Sequence, residues 1–224
     1  PATDPSIFKN YDAESLEGKK ENKLKLQESL GLDIREDVPL LSIILRLVPQ
    51  KGVDLIAHVL EEILMQDIQL VVLGTGEWHY ENMFRDAAWR YPRKVSANIF
   101  YDNTLAHRIY AGADIFLMPS LFEPCGLAQL FSMKYGTLPI VRETGGLKDT
   151  VQSFNEFTGE GNGFSFTNYN AHDMLYTIKR ALGFYYQKDI WNSLVKRAMQ
   201  CDYSWDRSAE KYITLYHRLR EEIN

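Results

Sequence analysis

Short apolar segments alternate with amphipathic segments along most of the chain, and this pattern restricts the possible folds more than any other feature. The apolar segments have the length of buried strands, and the segments between them show the spacing of helices with one buried face. Strands are predicted at 38–47, 68–73, 95–101, 115–118 and 138–141. Helices are predicted at 20–30, 52–65, 77–91, 105–111, 126–135, 171–185, 188–200 and 206–222. This order predicts a Rossmann-like, doubly wound parallel α/β sheet with right-handed crossovers and C-terminal helices.

The chain is predicted to have three parts. Residues 1–19 are polar and lack a hydrophobic period, so we expect a linker or extended segment. Residues 20–170 form the Rossmann-like domain, in which the Gly- and Asn-rich segment 155–170 is a loop. Residues 171–224 form a helical tail that packs on the same domain. Because the sequence begins at Pro1 in a loop-like segment, we expect a piece of a longer protein.

Charge and cysteine content exclude several classes of protein. The formal net charge of −5 argues against a nucleic-acid-binding protein, which usually carries a basic patch. Two distant cysteines, Cys125 and Cys201, form neither a disulfide framework nor a metal motif. The sequence has no signal peptide and no apolar run long enough to span a bilayer. We therefore expect a cytoplasmic protein with no nucleic-acid partner and no membrane partner.

The residues with functional chemistry follow the predicted strands at their carboxyl ends. In chain order they are Arg46, Lys51, Gly74, Tyr101, Glu123, Gly126 and Gly145. The carboxyl ends of parallel strands share one edge of a sheet, where proteins of this class bind their ligands. A cationic pair, an aromatic ring, a carboxylate and a helix N-terminus together predict an activated nucleotide as the ligand.

Each of these features also has a structural interpretation. Arg46 and Lys51 either clamp a diphosphate or occupy a solvated turn, and the turn 74–76 either meets a ligand or simply reverses the chain. Glu123 either acts on a ligand or caps the helix that begins at Gly126. Cys125 has no positioned histidine base, so we interpret it as a packed small residue.

Two further features are open in the same way. The glycines of Thr144-Gly-Gly-Leu147 either admit a sugar or permit a turn. His107 and Arg108 lie inside a short predicted helix, where each is more often structural than functional.

The segment Pro119-Ser-Leu-Phe-Glu-Pro-Cys-Gly-Leu127 resembles a motif of bacterial glycogen synthases and plant starch synthases. Further similar motifs are Arg46…Gln50-Lys51-Gly52, Leu73-Gly-Thr-Gly76, Lys134-Tyr-Gly-Thr137 and Thr144-Gly-Gly-Leu-Lys-Asp-Thr-Val151. The end of the chain, from Asp202 to Tyr216, fits as well. The resemblance implies the C-terminal domain of a GT-B glycosyltransferase, whose active site lies in a cleft between two Rossmann-like domains. Those enzymes transfer glucose from ADP-glucose to the non-reducing end of an α-1,4-glucan with retention.

The resemblance also implies roles for individual residues. Arg46 and Lys51 match the pair that grips the diphosphate, and Glu123 matches the acidic residue beside the transferred glucose. The implied nucleotide-sugar-binding residues are Tyr101, Cys125, Gly126, Leu127, Ala128, Gly74 and Thr75. Ala128 departs from the bacterial pattern, which has a hydroxyl side chain there. No cofactor and no metal are expected beside the substrate ADP-glucose.

The Lys-Thr-Gly-Gly-Leu signature of the family's N-terminal domain is absent from this sequence. We therefore expect a chain that binds ADP or ADP-glucose but is inactive alone, because the glucan acceptor requires the missing half. The implied partner is the N-terminal domain, on which the last helix packs in the family. The alternatives are a related transferase with a UDP-sugar donor and a non-catalytic nucleotide-binding module.

Overall fold

Six parallel strands form one sheet in the order β3-β2-β1-β4-β5-β6 in the computed structural model, which describes residues 1–223 and the side chains of residues 1–220. The strands are β1 Leu40–Ile44, β2 Gln69–Leu73, β3 Val95–Asn98, β4 Ile115–Met118, β5 Leu138–Arg142 and β6 Phe164–Phe166. All five ladders between neighbouring strands are parallel. The predicted doubly wound α/β fold is confirmed.

Helices cover the sheet and connect its strands. They are α1 Glu17–Ser29, α2 Val53–Leu64, α3 Trp78–Arg90, α4 Asn103–Gly112, α5 Ala128–Lys134, α6 Gly145–Thr150, α7 Ala171–Tyr185, α8 Lys188–Gln200 and α9 Trp205–Ile223, with a 3-10 turn at Pro49–Lys51. In α2, the apolar residues Val53, Ile56, Leu60 and Ile63 are all buried, as their helical spacing requires.

One predicted loop contains a strand. The segment 155–170 includes β6, which pairs with β5 from Ile140–Phe164 to Arg142–Phe166. Phe164 is fully buried and Phe166 is 5% exposed, so this edge strand completes the apolar core. The prediction of a continuous loop was wrong because three residues are too short to show an alternation among glycines and asparagines.

The apolar run that contains β1 extends beyond the sheet. Its last residues leave the ladder and bond to the turn after β2, where the Leu47 N–H donates to the Thr75 oxygen at 2.9 Å and the Glu77 N–H to the Leu47 oxygen at 2.9 Å. A Cβ atom on Gly74 or Gly76 would overlap a carbonyl oxygen of this extension. The two glycines are therefore required by backbone packing at the carboxyl edge of the sheet.

The centre of the sheet contains a short ladder. Strand β1 pairs with β2 over all five of its residues, but with β4 only at Leu41–Ile115 and Ser42–Phe116 in the described part of the chain. The Ser42 hydroxyl adds a bond to the Ile115 oxygen at 2.9 Å. This junction joins the two halves of the sheet.

The first sixteen residues contain no regular element, yet they are attached to the domain. Ile7 and Tyr11 are buried. Asp4 accepts hydrogen bonds at one carboxylate oxygen from the Tyr135 hydroxyl at 2.6 Å and from His107 Nδ1 at 2.8 Å. Burial alone would raise the pKa of Asp4, but the bonds from Tyr135, His107 and the Ser6 N–H outweigh it and lower the pKa to about 2.

This network predicts a pH-dependent contribution to stability. The pKa of Asp4 is lower in the folded chain than its ordinary value of 3.8, so the ionised carboxylate stabilises the fold. This stabilisation is fully present above pH 3.8 and is lost as the pH falls through about 2. The Asp4→Asn variant should be less stable than the parent chain at pH 5. This difference in unfolding free energy should be smaller at pH 2, by about 1–2 kcal/mol. Urea titrations of both chains at each pH measure this. A difference that stays constant over the range would contradict the assignment.

The helices after β6 differ in their surroundings. Helices α7 and α8 bury apolar faces, with Ile178, Ala181, Leu194 and Ala198 at or below 1% exposure. Helix α9 is different, because its large apolar side chains up to residue 220 are exposed. These are Trp205, Tyr212, Ile213, Leu215, Tyr216 and Leu219, each at least 44% exposed.

Candidate active site

Lys51 and Glu123 meet at the point where the strand order of the sheet reverses. The chain leaves β1 towards β2 on one side and leaves β4 towards β5 on the other, which opens a crevice between β1 and β4. Lys51 ends the 3-10 turn after β1, and Glu123 lies in the loop after β4. Lys51 Nζ lies 2.5 Å from Glu123 Oε2, and the two side chains are 18% and 10% exposed. The sequence placed both groups at this edge without predicting that they pair.

The two loops that carry this ion pair are also joined through their backbones. The Leu121 N–H donates to the Gln50 oxygen at 3.0 Å. Gly52 packs so closely on Pro119 that a Cβ atom there would overlap the Pro119 carbonyl oxygen. The position of Lys51 relative to Glu123 is therefore set by backbone contacts as well as by the ion pair.

Arg142 holds the loop that carries Glu123. Its Nε donates to the Ser120 oxygen at 3.1 Å and its Nη2 to the Leu121 oxygen at 2.6 Å. Arg142 is not among the site residues predicted from the sequence. The signal that could have identified it is a cation at the end of the buried strand β5, which is the same signal that singled out Arg46 after β1.

Tyr169 holds the turn that carries Lys51. Its hydroxyl lies 2.5 Å from Asp54 Oδ1 and 3.1 Å from the Pro49 oxygen. Burial and the hydrogen bond to Asp54 both raise the pKa of Tyr169, so the hydroxyl remains a donor. Nothing in the sequence pointed to this residue, because it lies in the segment that was predicted to be a loop.

A cavity of about 260 Å³ opens at the carboxyl edge of the sheet, and four of the predicted site residues line it. They are Arg46, Gly74, Thr75 and Tyr101. The Tyr101 side chain is 88% exposed, which leaves its ring available for stacking. Arg46 is exposed and forms no ion pair with the side chains described here. The structure thus places Arg46 beside Tyr101, whereas Lys51 contacts Glu123.

The turn from Cys125 to Leu127 precedes α5 and offers backbone donors. The N–H groups of Gly126 and Leu127 bond to no other residue in the described chain. Cys125 is exposed, so its interpretation as a packed small residue was wrong. Its side chain forms no hydrogen bond to a described residue, and Ala128 begins the helix. Phosphate binding by this turn stays a prediction.

The glycine pair at 145–146 allows the loop that carries Glu123 to pack closely against the start of α6. A Cβ atom on Gly145 would overlap the Glu123 oxygen, and one on Gly146 would overlap the Cys125 oxygen. The Gly146 N–H donates to the Pro124 oxygen at 3.1 Å. The two glycines are therefore required by the close approach of α6 to this loop. The sequence had suggested only that they admit a sugar or permit a turn.

A second cavity, of about 430 Å³, lies at the opposite edge of the sheet. Burial lowers the pKa of Lys19 in its wall to about 7. The Lys19 ammonium donates to the oxygens of Ala111 and Tyr135 and to the Thr137 hydroxyl, and Lys23 pairs with Asp114 at 2.6 Å. These buried lysine side chains attach α1 to the domain.

The described residues include neither a helix that could cross a membrane nor a cluster of side chains that could hold a metal ion. None of the described helices is long and apolar enough to cross a membrane. In the same part of the chain, no group of three or more His, Cys, Asp or Glu side chains is placed to hold a metal ion.

Comparison with known proteins identifies the family. The model for the family described as "Glycosyl transferases group 1" matches residues 25–184. The chain belongs to this family. Among group 1 glycosyl transferases it is 60% identical over 219 residues to a glycogen synthase of Clostridium novyi, a match that covers 98% of this chain and 46% of the relative. The chain thus spans about half the length of the curated relatives it matches.

Solved structures agree with this assignment. The catalytic domain of starch synthase IV from Arabidopsis thaliana, bound to ADP and acarbose, superimposes with a TM-score of 0.89 at 40% identity, covering 97% of this chain and 46% of that one. The C-terminal domain of a group 1 glycosyl transferase from Francisella tularensis shares the fold, with a TM-score of 0.61 at 14% identity over 80% of this chain and 90% of that domain. The resemblance to glycogen and starch synthases and the GT-B fold class are confirmed.

Proposed function

We propose that this chain is the nucleotide-sugar-binding half of a glycogen synthase that uses ADP-glucose as donor. The observation that carries the proposal is the Lys51–Glu123 pair in the crevice between β1 and β4, at the same sheet edge as the cavity that contains Arg46 and Tyr101. A nucleotide base, a diphosphate and a sugar each have chemically suitable groups along this edge. The ADP bound to the related starch synthase supports the choice of nucleotide.

The residues divide the chemistry of glucosyl transfer between them. Tyr101 stacks on the adenine, and the cations Arg46 and Lys51 stabilise the negative charge that develops on the departing diphosphate. When a diphosphate enters, Lys51 exchanges part of its ion pair for phosphate oxygens. The Glu123 carboxylate then accepts hydrogen bonds from the sugar hydroxyls and stabilises the positive charge that develops at the anomeric carbon.

The acceptor glucan and the N-terminal domain belong to the same proposal. Helix α9 supports it, because a row of exposed aromatic and aliphatic side chains is typical of a surface that another domain covers. The relatives are about twice as long as this chain, which leaves room for such a domain. The chain alone should therefore bind the donor nucleotide without elongating a glucan.

Calorimetry with ADP and UDP tests the donor assignment on the chain itself. We expect heat from ADP and a weaker response from UDP. Strong binding of UDP without ADP binding would favour a UDP-sugar transferase, and no binding of either nucleotide would contradict the proposal. A radiolabelled elongation assay on glycogen should give no product until a matching N-terminal domain is supplied.

Restoring the hydroxyl side chain at Ala128 should strengthen ADP binding. In Ala128→Ser the added hydroxyl lies at the start of α5, next to the predicted phosphate donors Gly126 and Leu127. One hydrogen bond to a charged phosphate corresponds to about a tenfold gain in affinity, or roughly 1.4 kcal/mol. Titrations of both chains with ADP measure the gain, and the affinity for adenosine should not change. Equal ADP affinity in the two chains would place the phosphate elsewhere.

A further inference from the structure

Gln129 contacts the turn before α5 from inside the protein. Its side chain is fully buried in the first turn of this helix. The amide nitrogen Nε2 donates to the Cys125 oxygen at 3.1 Å and to the Gly126 oxygen at 2.9 Å. Because both partners are acceptors, the nitrogen of the amide must face the turn. One side chain thus holds two consecutive carbonyl groups of the backbone.

Fixing these two carbonyls also fixes two N–H groups. A peptide unit is planar and trans, so its C=O and N–H bonds point in opposite directions. The Cys125 carbonyl shares its peptide plane with the Gly126 N–H, and the Gly126 carbonyl shares its plane with the Leu127 N–H. When Gln129 draws both oxygens inwards, both N–H groups point away from it. Neither of these two N–H groups bonds to another described residue.

The other contacts of Gln129 strengthen this interpretation. Nε2 also reaches the Thr150 hydroxyl at 3.2 Å, and that hydroxyl donates to the Gly146 oxygen at 2.6 Å, which links the turn to α6. The remaining amide oxygen, Gln129 Oε1, is buried without a hydrogen-bond partner in the described chain. A buried unpaired oxygen is unfavourable for the fold and calls for a specific reason. The reason we identify is that the opposite orientation of the amide would release both carbonyls.

We propose that Gln129 is a positioning residue that aims the Gly126 and Leu127 N–H groups at the diphosphate of the donor. The inference rests on the proposed nucleotide binding and adds a residue that touches no substrate atom. Its role is to prevent the two peptide planes from rotating, so that the donors need not reorganise when the phosphate arrives. The group recognised is the phosphate, and the nucleoside is not involved.

A comparison of ADP with adenosine separates this role from a merely structural one. We expect Gln129→Met, an apolar side chain of similar length, to lower the ADP affinity at least tenfold and to leave the adenosine affinity unchanged. Gln129→Glu should lose more, because its carboxylate oxygens repel the two carbonyls. Gln27→Met is the matched control, since Gln27 is also fully buried and hydrogen-bonded but lies near the opposite edge of the sheet. This control should bind both ligands as the parent chain does.

The outcomes have distinct meanings. Unchanged ADP affinity in a folded Gln129→Met chain would overturn the inference alone, and so would an equal loss for ADP and adenosine. Failure of the parent chain to bind ADP would overturn the proposed function together with the inference. If the variants do not fold, NMR of the parent chain decides, because the amide protons of Gly126 and Leu127 should shift with ADP and not with adenosine. Absence of that selective shift would also overturn the inference.

Discussion

Replacing Lys51 with methionine is expected to destabilise the chain and to remove measurable ADP binding. The substitution leaves Glu123, whose side chain is 10% exposed, without its partner at 2.5 Å. Breaking a fully buried ion pair costs about 3–5 kcal/mol, and we expect about 2 kcal/mol here because Lys51 retains some contact with solvent. Urea unfolding measures the stability, and calorimetry measures ADP binding.

A second substitution separates the two effects of Lys51. In Lys51→Met/Glu123→Gln the buried charge is gone, so most of the lost stability should return while ADP binding does not. Glu123→Gln alone should still bind ADP, and in the two-domain synthase that we propose it should lose glucosyl transfer. Recovery of ADP binding in the double variant would remove Lys51 from the phosphate site. Full stability of the single variant would show that the ion pair does not stabilise the fold.

Replacing Gly52 with alanine is expected to cost about 3 kcal/mol of unfolding free energy, through backbone strain and overlap together. Gly52 has φ +77° and packs directly on the Pro119 oxygen. The overlap cannot be relieved by a rotamer change, because the backbone fixes the position of the Cβ atom and the Pro119 oxygen is itself part of the backbone. The shift should also move Lys51 away from Glu123 and weaken ADP binding.

Gly31→Ala provides the control for backbone strain. Gly31 has a similar φ of +68°, but a Cβ atom there would meet nothing within 4 Å. We expect a loss of only about 1 kcal/mol, the ordinary cost of a left-handed conformation. The difference between the two variants in chemical denaturation measures the overlap with Pro119. Equal losses would show that the close contact after β4 is unimportant.

Much of the fold could be predicted because its elements are long enough to show a period. Helices α7 and α8 occupy the predicted spans 171–185 and 188–200, and β4 occupies 115–118. Strand β6 was missed because three residues carry no period, and its pairing with β5 joins residues that are 24 apart in the sequence, such as Ile140 and Phe164. Long-range pairing of this kind leaves no local signal.

For the candidate site, the sequence predicts which residues lie at the carboxyl edge of the sheet but not how they are arranged there. Parallel topology brings Lys51 and Glu123 to the same edge, but their separation depends on how two loops pack. The role of Arg142 depends on a side chain that reaches a backbone carbonyl of another segment, and the role of Gln129 depends on a side chain that folds back onto the turn before its own helix. No spacing rule describes such bonds. The reason for the glycine pair at the start of α6 lies in the carbonyl oxygens opposite it, whose positions the sequence does not show.

The short ladder between β1 and β4 has a consequence for how the folded chain opens. Lys51 and Glu123 belong to loops on either side of this junction, 72 residues apart in the sequence. A ligand held by both loops bridges the junction, so binding is coupled to the free energy of local opening there. Amide hydrogen exchange at Leu41, Ser42 and Leu121 should therefore slow in proportion to ligand saturation. With ligand bound, the two halves of the sheet should open together, so that their amide hydrogens exchange as one cooperative unit.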